Sequence, residues 1–247
     1  MLKRTDFGEA DRLVTVLTPR MGKLRLVAKG ARRSASRMAG HLEPFCHSQL
    51  MVARGRDLDL ATQASTVEAF RRVREDLVRS SLAFHLTELV DSFFLEGDSH
   101  PGAFVLLHGA LSALDDESDP PNLIVVHFEL HLLDEAGFRP ELTTCLACGG
   151  SIEPGRNGYS VPLGGVVCPA CLQGQASAQV VPVAALKLLR VMQREPEVKR
   201  LRFAVHRGVL NDVEGLLQRT LEFVLERRLR STSFLRQLAE AGVGYAT

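Results

Sequence analysis

At 247 residues the chain is long enough for one large core or two to three small ones. Its 45% hydrophobic and 24% charged residues exclude a disordered or fibrous protein. The net charge of +1 hides a division near Ser80: residues 1–80 hold 16 Lys and Arg against 9 Asp and Glu, and the remainder is acidic, so the first part is expected to meet a polyanion. No apolar run approaches the roughly 18 residues of a membrane span, and Met1 to Asp6 lack the apolar stretch of a signal peptide. A reducing cytosol is therefore expected, where cysteine spacing points to metal or catalysis rather than disulfides.

Between Met1 and about Val67 the apolar residues come in short β-type runs separated by turn residues. Strands are predicted near Leu2–Thr5, Arg12–Leu17, Lys23–Val27, Phe45–Val52 and Leu58–Thr66, with a Gly30-to-Gly40 loop between the third and fourth. In Lys23-Leu24-Arg25-Leu26 the leucines face a core and the cations the other side. Five such strands are too few for a two-sheet sandwich and match a small OB-fold barrel.

From Phe70 the period becomes helical. Leu82, Leu86, Leu89, Val90 and Phe93 form one stripe, with Ser80 or Ser81 as the cap. A second helix is predicted over Ala103–Leu114, followed by a solvent loop from Asp115 to Pro121. A third starts after Asn122 and stops at Gly137. Beyond the cysteines, Val183–Arg194 and Val209–Leu229 are helical, and Arg227, Arg228 and Arg230 suit the C-terminal dipole of the last. The fold class is thus α+β multidomain: an OB-fold barrel over 1–78, a helical domain over 79–140 and 176–247, and a four-cysteine insertion over 141–175.

Cys145, Cys148, Cys168 and Cys171 form C-x2-C-x19-C-x2-C, within the range of zinc ribbons. Each pair makes a knuckle, and Gly149-Gly150 allow backbone amides to turn towards the sulfurs. Four thiolates leave no open position for water, so one structural Zn2+ is expected rather than a catalytic one. The segment Ser151–Val167 suits a small hairpin. The fifth cysteine, Cys46, reads as an inert thiol in a strand, since His47 points to the opposite face. His127 and His131 are an i, i+4 pair without a third ligand nearby, which favours helix packing over metal.

The basic constellation is Lys23, Arg25, Lys29, Arg32, Arg33 and Arg37, with Arg54 and Arg56 at another turn. Such a row can track a phosphate backbone. Only Phe7 and Phe45 offer stacking in this region, so binding to DNA is expected to be electrostatic and steeply salt-dependent. Arg71, Arg72, Arg74 and Arg79 either extend this surface or pair with Glu75 and Asp76. No phosphate-binding loop, nucleophile elbow or H-E-x-x-H motif is present, so no enzyme is expected.

The stretches Gly8-Glu9-Ala10-Asp11-Arg12-Leu13-Val14-Thr15-Val16-Leu17-Thr18, Gly22-Lys23-Leu24, Val27-Ala28-Lys29-Gly30-Ala31-Arg32-Arg33 and Leu42-Glu43-Pro44-Phe45 resemble the N-terminal signature of the bacterial RecO recombination-mediator family. The four cysteines resemble the zinc knuckle of many members. The resemblance implies an OB-fold, a central helical domain and a zinc module. It also implies binding of single- and double-stranded DNA, strand annealing, partnership with RecR, contact with single-strand-binding protein and help in loading RecA. The basic residues above fall on the family's basic barrel surface, in a cytoplasmic, nucleoid-associated protein without membrane contact. Members usually carry a few more residues before the first strand, so a less well closed barrel edge is expected. The competing reading is a zinc-ribbon scaffold for a protein partner, with only incidental DNA binding.

Overall fold

The computed structural model describes residues 1–116, 120–201 and 204–241; Glu117, Ser118 and Asp119 of the expected acidic loop lie outside them. The chain divides into two compact units, Met1–Glu117 with Arg230–Thr247, and Ser118–Leu229. The sequence boundary after residue 78 falls inside a helix of the first unit, Leu77–Phe93.

The first unit is built on strands β1 (Lys3–Phe7), β2 (Asp11–Thr18), β3 (Gly22–Ala28), β4 (His47–Ala53) and β5 (Asp59–Glu68). They form an OB-like sheet in the order β1-β2-β3-β5-β4, antiparallel except where β3 meets β5 in parallel at Leu26 with Asp59 and Val27 with Leu60. The outer strands β1 and β4 do not pair along their length. Their starts are tied instead by two backbone bonds of 3.0 Å, Phe45 N–H to the Met1 carbonyl and Met1 N–H to the Cys46 carbonyl. Val14, Val16, Leu26, Ala28 and Ala61 supply the core from the strands, and Ala31 and Leu42 supply it from the loop. At the end of that loop a 3-10 turn over Ala39–Leu42 drops Leu42 into the core.

Helices α1 (Arg71–Glu75), α2 (Leu77–Phe93) and α3 (Pro101–Asp115) follow. The cap of α2 is Asp76, whose carboxylate accepts from Arg79 N–H at 2.7 Å. Ser80 and Ser81, the expected caps, lie one turn inside and donate their hydroxyls to the Leu77 carbonyl, an alternative open to any serine within the first turns. Arg79 closes the end of α3 by donating to the carbonyls of Leu114 and Asp116.

In the second unit the chain forms α4 (Pro121–Glu135), strands β6 (Gly158–Ser160) and β7 (Gly165–Val167), helix α5 (Pro169–Leu172), strand β8 (Ala178–Val180), α6 (Val183–Arg194) and α7 (Arg207–Leu225). The cap of α4 is Pro120 rather than Asn122, whose side-chain amide is engaged by Glu214 on α7 at 3.0 Å. The helix expected to run to Leu229 stops at Leu225, because Glu226 takes a left-handed turn (φ 53°). A separate helix, α8 (Arg230–Glu240), rejoins the first unit, where the Glu88 carboxylate of α2 accepts from the amides of Arg230 and Ser231 at 3.1 and 2.8 Å. The apolar spacing across Leu221, Leu225 and Leu229 looks continuous and conceals this break. No helix of the described residues is long and apolar enough to cross a membrane.

His127 and His131 pack α4 against α6. Nε2 of His127 donates to the Glu195 carbonyl at 2.7 Å, and that of His131 to Met192 and Glu195 at 3.0 and 3.1 Å. Burial, aided by the neighbouring His131 and opposed by the bond to Glu195, holds His127 down at about 4. Its folded value thus lies below the ordinary 6.5, so the unfolded chain takes up this proton first. Stability should be complete above about pH 6.5 and fall until about pH 4, by at most about 3 kcal/mol from this residue. Urea denaturation across that window should show a shallower loss in His127→Gln than in the wild type.

Candidate functional site

The four cysteines converge. Their sulfurs lie within 4.8 Å of one another, and Cys148 and Cys168 are 3.9 Å apart. That separation is close to the roughly 3.8 Å edge of a tetrahedron with metal–sulfur bonds of about 2.3 Å. The first knuckle is closed by Gly149 N–H to the Cys145 carbonyl and Cys145 N–H to the Gly150 carbonyl, each 2.8 Å, with Gly149 left-handed (φ 74°). The glycines therefore serve the turn itself. The amide of Cys168 is among those aimed at sulfur, 3.3 Å from Cys145 Sγ. In the second knuckle Cys168 caps α5, which carries Cys171.

The strands β6 and β7 form the expected hairpin, and β8 adds to the free side of β6. Arg190 and Gln193 of α6 hold the module from below, donating at 2.8 Å to the carbonyls of Leu142 and Pro140. Burial raises the Cys145 thiol, but the amides of Cys168, Ala147 and Cys148 outweigh it and bring it to about 6. Hydrogen bonds to the Cys168 and Cys148 thiols push Cys171 up to about 12. Four sulfurs this close cannot all ionise unaided, and a cation in their midst removes the conflict. The donors fit a metal site.

The basic residues separate into two groups. Lys23 is 8% exposed, and its ammonium donates to the Asp91 carbonyl at 2.6 Å and carboxylate at 2.9 Å. It faces α2 rather than solvent. Arg25 lies 3.4 Å from Glu96, and Arg32 lies 3.4 Å from Asp6 while donating to the carbonyls of Gly8 and Glu9. Arg32 thus pins the loop after β3 to the β1–β2 turn, assisted by its own amide to Ala10 and by Gly30 N–H to Asp11. Lys29, Arg33 and Arg37 on that loop are exposed, as are Arg54 and Arg56 on the β4–β5 hairpin. Gly55 is required in this hairpin, since a Cβ there would meet the Leu58 carbonyl at 1.8 Å.

Phe7, at the β1–β2 turn beside Arg32, is 47% exposed, whereas Phe45 is buried. Of these two, Phe7 alone is exposed for stacking. Arg79 donates to the carbonyls of Leu114 and Asp116, and Arg74 reaches Cys46 Sγ at 3.4 Å. Cys46 itself is buried just ahead of β4. Sequence reasoning missed the acids that pair with the cations, because Asp91 and Glu96 lie about 70 positions from their partners.

Residues 1–70 match the family described as Recombination protein O N terminal, and residues 74–233 match Recombination protein O C terminal. The DNA repair protein RecO of Roseiflexus sp. (strain RS-1) is 42% identical over 95% of this chain and 82% of that protein. The DNA repair protein RecO of Dehalococcoides mccartyi (strain ATCC BAA-2266 / KCTC 15142 / 195) is 33% identical over 98% and 95%. That of Desulforudis audaxviator (strain MP104C) is 36% identical over 96% and 94%.

Replacing Cys148 and Cys171 together by Ser should remove the metal held by the cysteine cluster and lower the melting temperature, because the two knuckles then lose the ion that joins them. Elemental analysis beside a thermal melt checks this; metal retained at the wild-type level would contradict the cluster.

Proposed function

The chain belongs to the RecO family of DNA repair proteins, and from that premise we propose that it is a non-enzymatic recombination mediator. In this reading it binds single- and double-stranded DNA, anneals complementary strands, and with RecR assists RecA loading onto DNA coated by single-strand-binding protein. The observation that carries the DNA-binding part is the set Lys29, Arg33, Arg37, Arg54 and Arg56, exposed cations with no acidic partner within ion-pair distance among the described residues. Annealing requires only that two phosphate backbones be neutralised and held together.

Residues 1–78 then form the DNA-binding part, with Arg25 and Arg32 contributing by exchanging Glu96 and Asp6 for phosphate. Lys23 supports the sheet and leaves the contact set. Phe7 offers one stacking face, so sequence preference should be weak. The metal is Zn2+, which a four-thiolate tetrahedral set suits best, and its closed shell serves folding. The helices and the 141–175 module carry the protein contacts, in a cytoplasmic protein that associates with the nucleoid.

Annealing of two complementary oligonucleotides without nucleotide, repeated across a salt series, tests the reading. Fast annealing that collapses with salt supports it; none at any salt, from folded and metal-loaded protein, would move the assignment to a protein-binding scaffold. Arg33→Glu with Arg37→Glu should reduce the salt slope of DNA binding by about 2, at roughly one per phosphate contact. Lys23→Met should leave that slope unchanged and cost about 1–3 kcal/mol of stability by stranding Asp91. Fluorescence anisotropy and denaturant melts separate the two.

A further inference from the structure

A second cluster of metal-ligating groups lies in the first unit, far in sequence from the cysteines. His47 opens β4, Glu68 closes β5 as its register partner, and His108 sits on α3. We propose that these three residues form a second metal site, of mixed nitrogen and oxygen ligation, that takes a late first-row divalent cation and staples the β4–β5 edge to α3.

The donor atoms already converge. His47 Nδ1, Glu68 Oε2 and His108 Nε2 lie within 4.8 Å of one another. A single carboxylate oxygen, Glu68 Oε2, is shared, 3.4 Å from His47 Nδ1 and hydrogen-bonded to His108 Nε2. Bonds of about 2.0–2.1 Å to imidazole and carboxylate need donors roughly 3–3.4 Å apart, so small side-chain adjustments suffice. The register shifts between His47 and Ser48, where Val67 of β5 is the extra residue, and His47 is thereby paired with Glu68.

The imidazoles are oriented by packing. The His47 ring stands edge-on to Phe104 and to His108, with centroids 5.7 and 5.1 Å apart. The His108 ring lies 5.8 Å from Phe70 and stacks parallel to Phe104 at 6.4 Å. Ring directions fixed in this way lower the entropy of assembling the three ligands. Two neutral imidazoles and one carboxylate carry a single negative charge, and two nitrogens select zinc, cobalt, nickel or copper over magnesium or calcium.

Three protein donors leave at least one position open. The side chains are 32%, 45% and 35% exposed, and an apolar cavity of about 230 Å³ lined by His47, Phe104, Leu107 and His108 adjoins them. This centre should exchange its ion readily, whereas four thiolates hold theirs tightly. The bland reading is a His–Glu–His hydrogen-bonded bridge that binds no ion.

Cobalt(II) titrated into the full chain, its cysteine site already loaded with zinc, distinguishes the two. One further equivalent should bind, giving weak d–d absorption without the intense sulfur-to-metal bands of the cysteine site. Glu68→Gln and His108→Gln should each weaken it by on the order of 100-fold and leave the zinc content unchanged. No further equivalent, or one bound equally well by both variants, overturns the proposal. Should a variant fail to fold, paramagnetic broadening in the wild type decides: selective loss of the His47 and His108 ring signals supports the site, and broadening elsewhere overturns it.

Discussion

The docking of β3 onto the end of α2 is the constraint on which much of the first unit depends. Lys23 reaches Asp91 through its side chain, and its carbonyl accepts from Gly97 at 2.9 Å, so the strand edge is fixed by both backbone and charge. The approach leaves no room for a side chain at Gly22, where a Cβ would meet the Asp98 carbonyl at 1.8 Å. A buried ammonium requires a close counter-charge, which Asp91 supplies. Once α2 is held in this way, its Glu88 is placed to cap α8, and the segment that returns from the second unit has a fixed landing point.

The same docking decides which cations of the basic half remain available to a polyanion. Those nearest the helix, Lys23 and Arg25, face acids of α2 and its following loop. Lys29, Arg33 and Arg37 beyond the end of β3, and Arg54 and Arg56 on the β4–β5 hairpin, have none at ion-pair distance among the described residues. A charge count along the chain measures the total field but not its distribution, and only the distribution selects a DNA path. Arg32 belongs to both classes: it organises the loop through Asp6 and the Gly8 and Glu9 carbonyls while its guanidinium remains partly exposed.

The metal centre and the histidine cluster differ in how their ligands are assembled. Two knuckles bring each pair of thiols together over a few residues, so only one long closure, between Cys148 and Cys168, must be made by the fold. The histidine cluster needs a strand start, a strand end and a helix, and forms only when all three are in place. The first also concentrates negative charge that calls for a cation; the second can satisfy itself with hydrogen bonds, and Glu68 is held below its ordinary range by those from His108 and His47.

The sequence alone determined the features whose cause is local or periodic: the five strands, the helical stripes, the cysteine pairs and the hairpin between them. Strand alternation and C-x2-C spacing are short-range consequences of backbone geometry and can be read within a window of a few residues. Helix ends were less legible, because Asp76 and Ser80 are equally good caps by type and only packing chose between them, and because the left-handed Glu226 interrupts an otherwise continuous apolar pattern. Tertiary structure alone decided the ion pairs of Lys23, Arg25 and Arg32, the capping of α8 by Glu88, and the meeting of His47, Glu68 and His108. Each joins residues far apart in the chain, and the Coulomb and hydrogen-bond forces that select such partners act over a few ångströms of space, a distance on which sequence separation has no bearing.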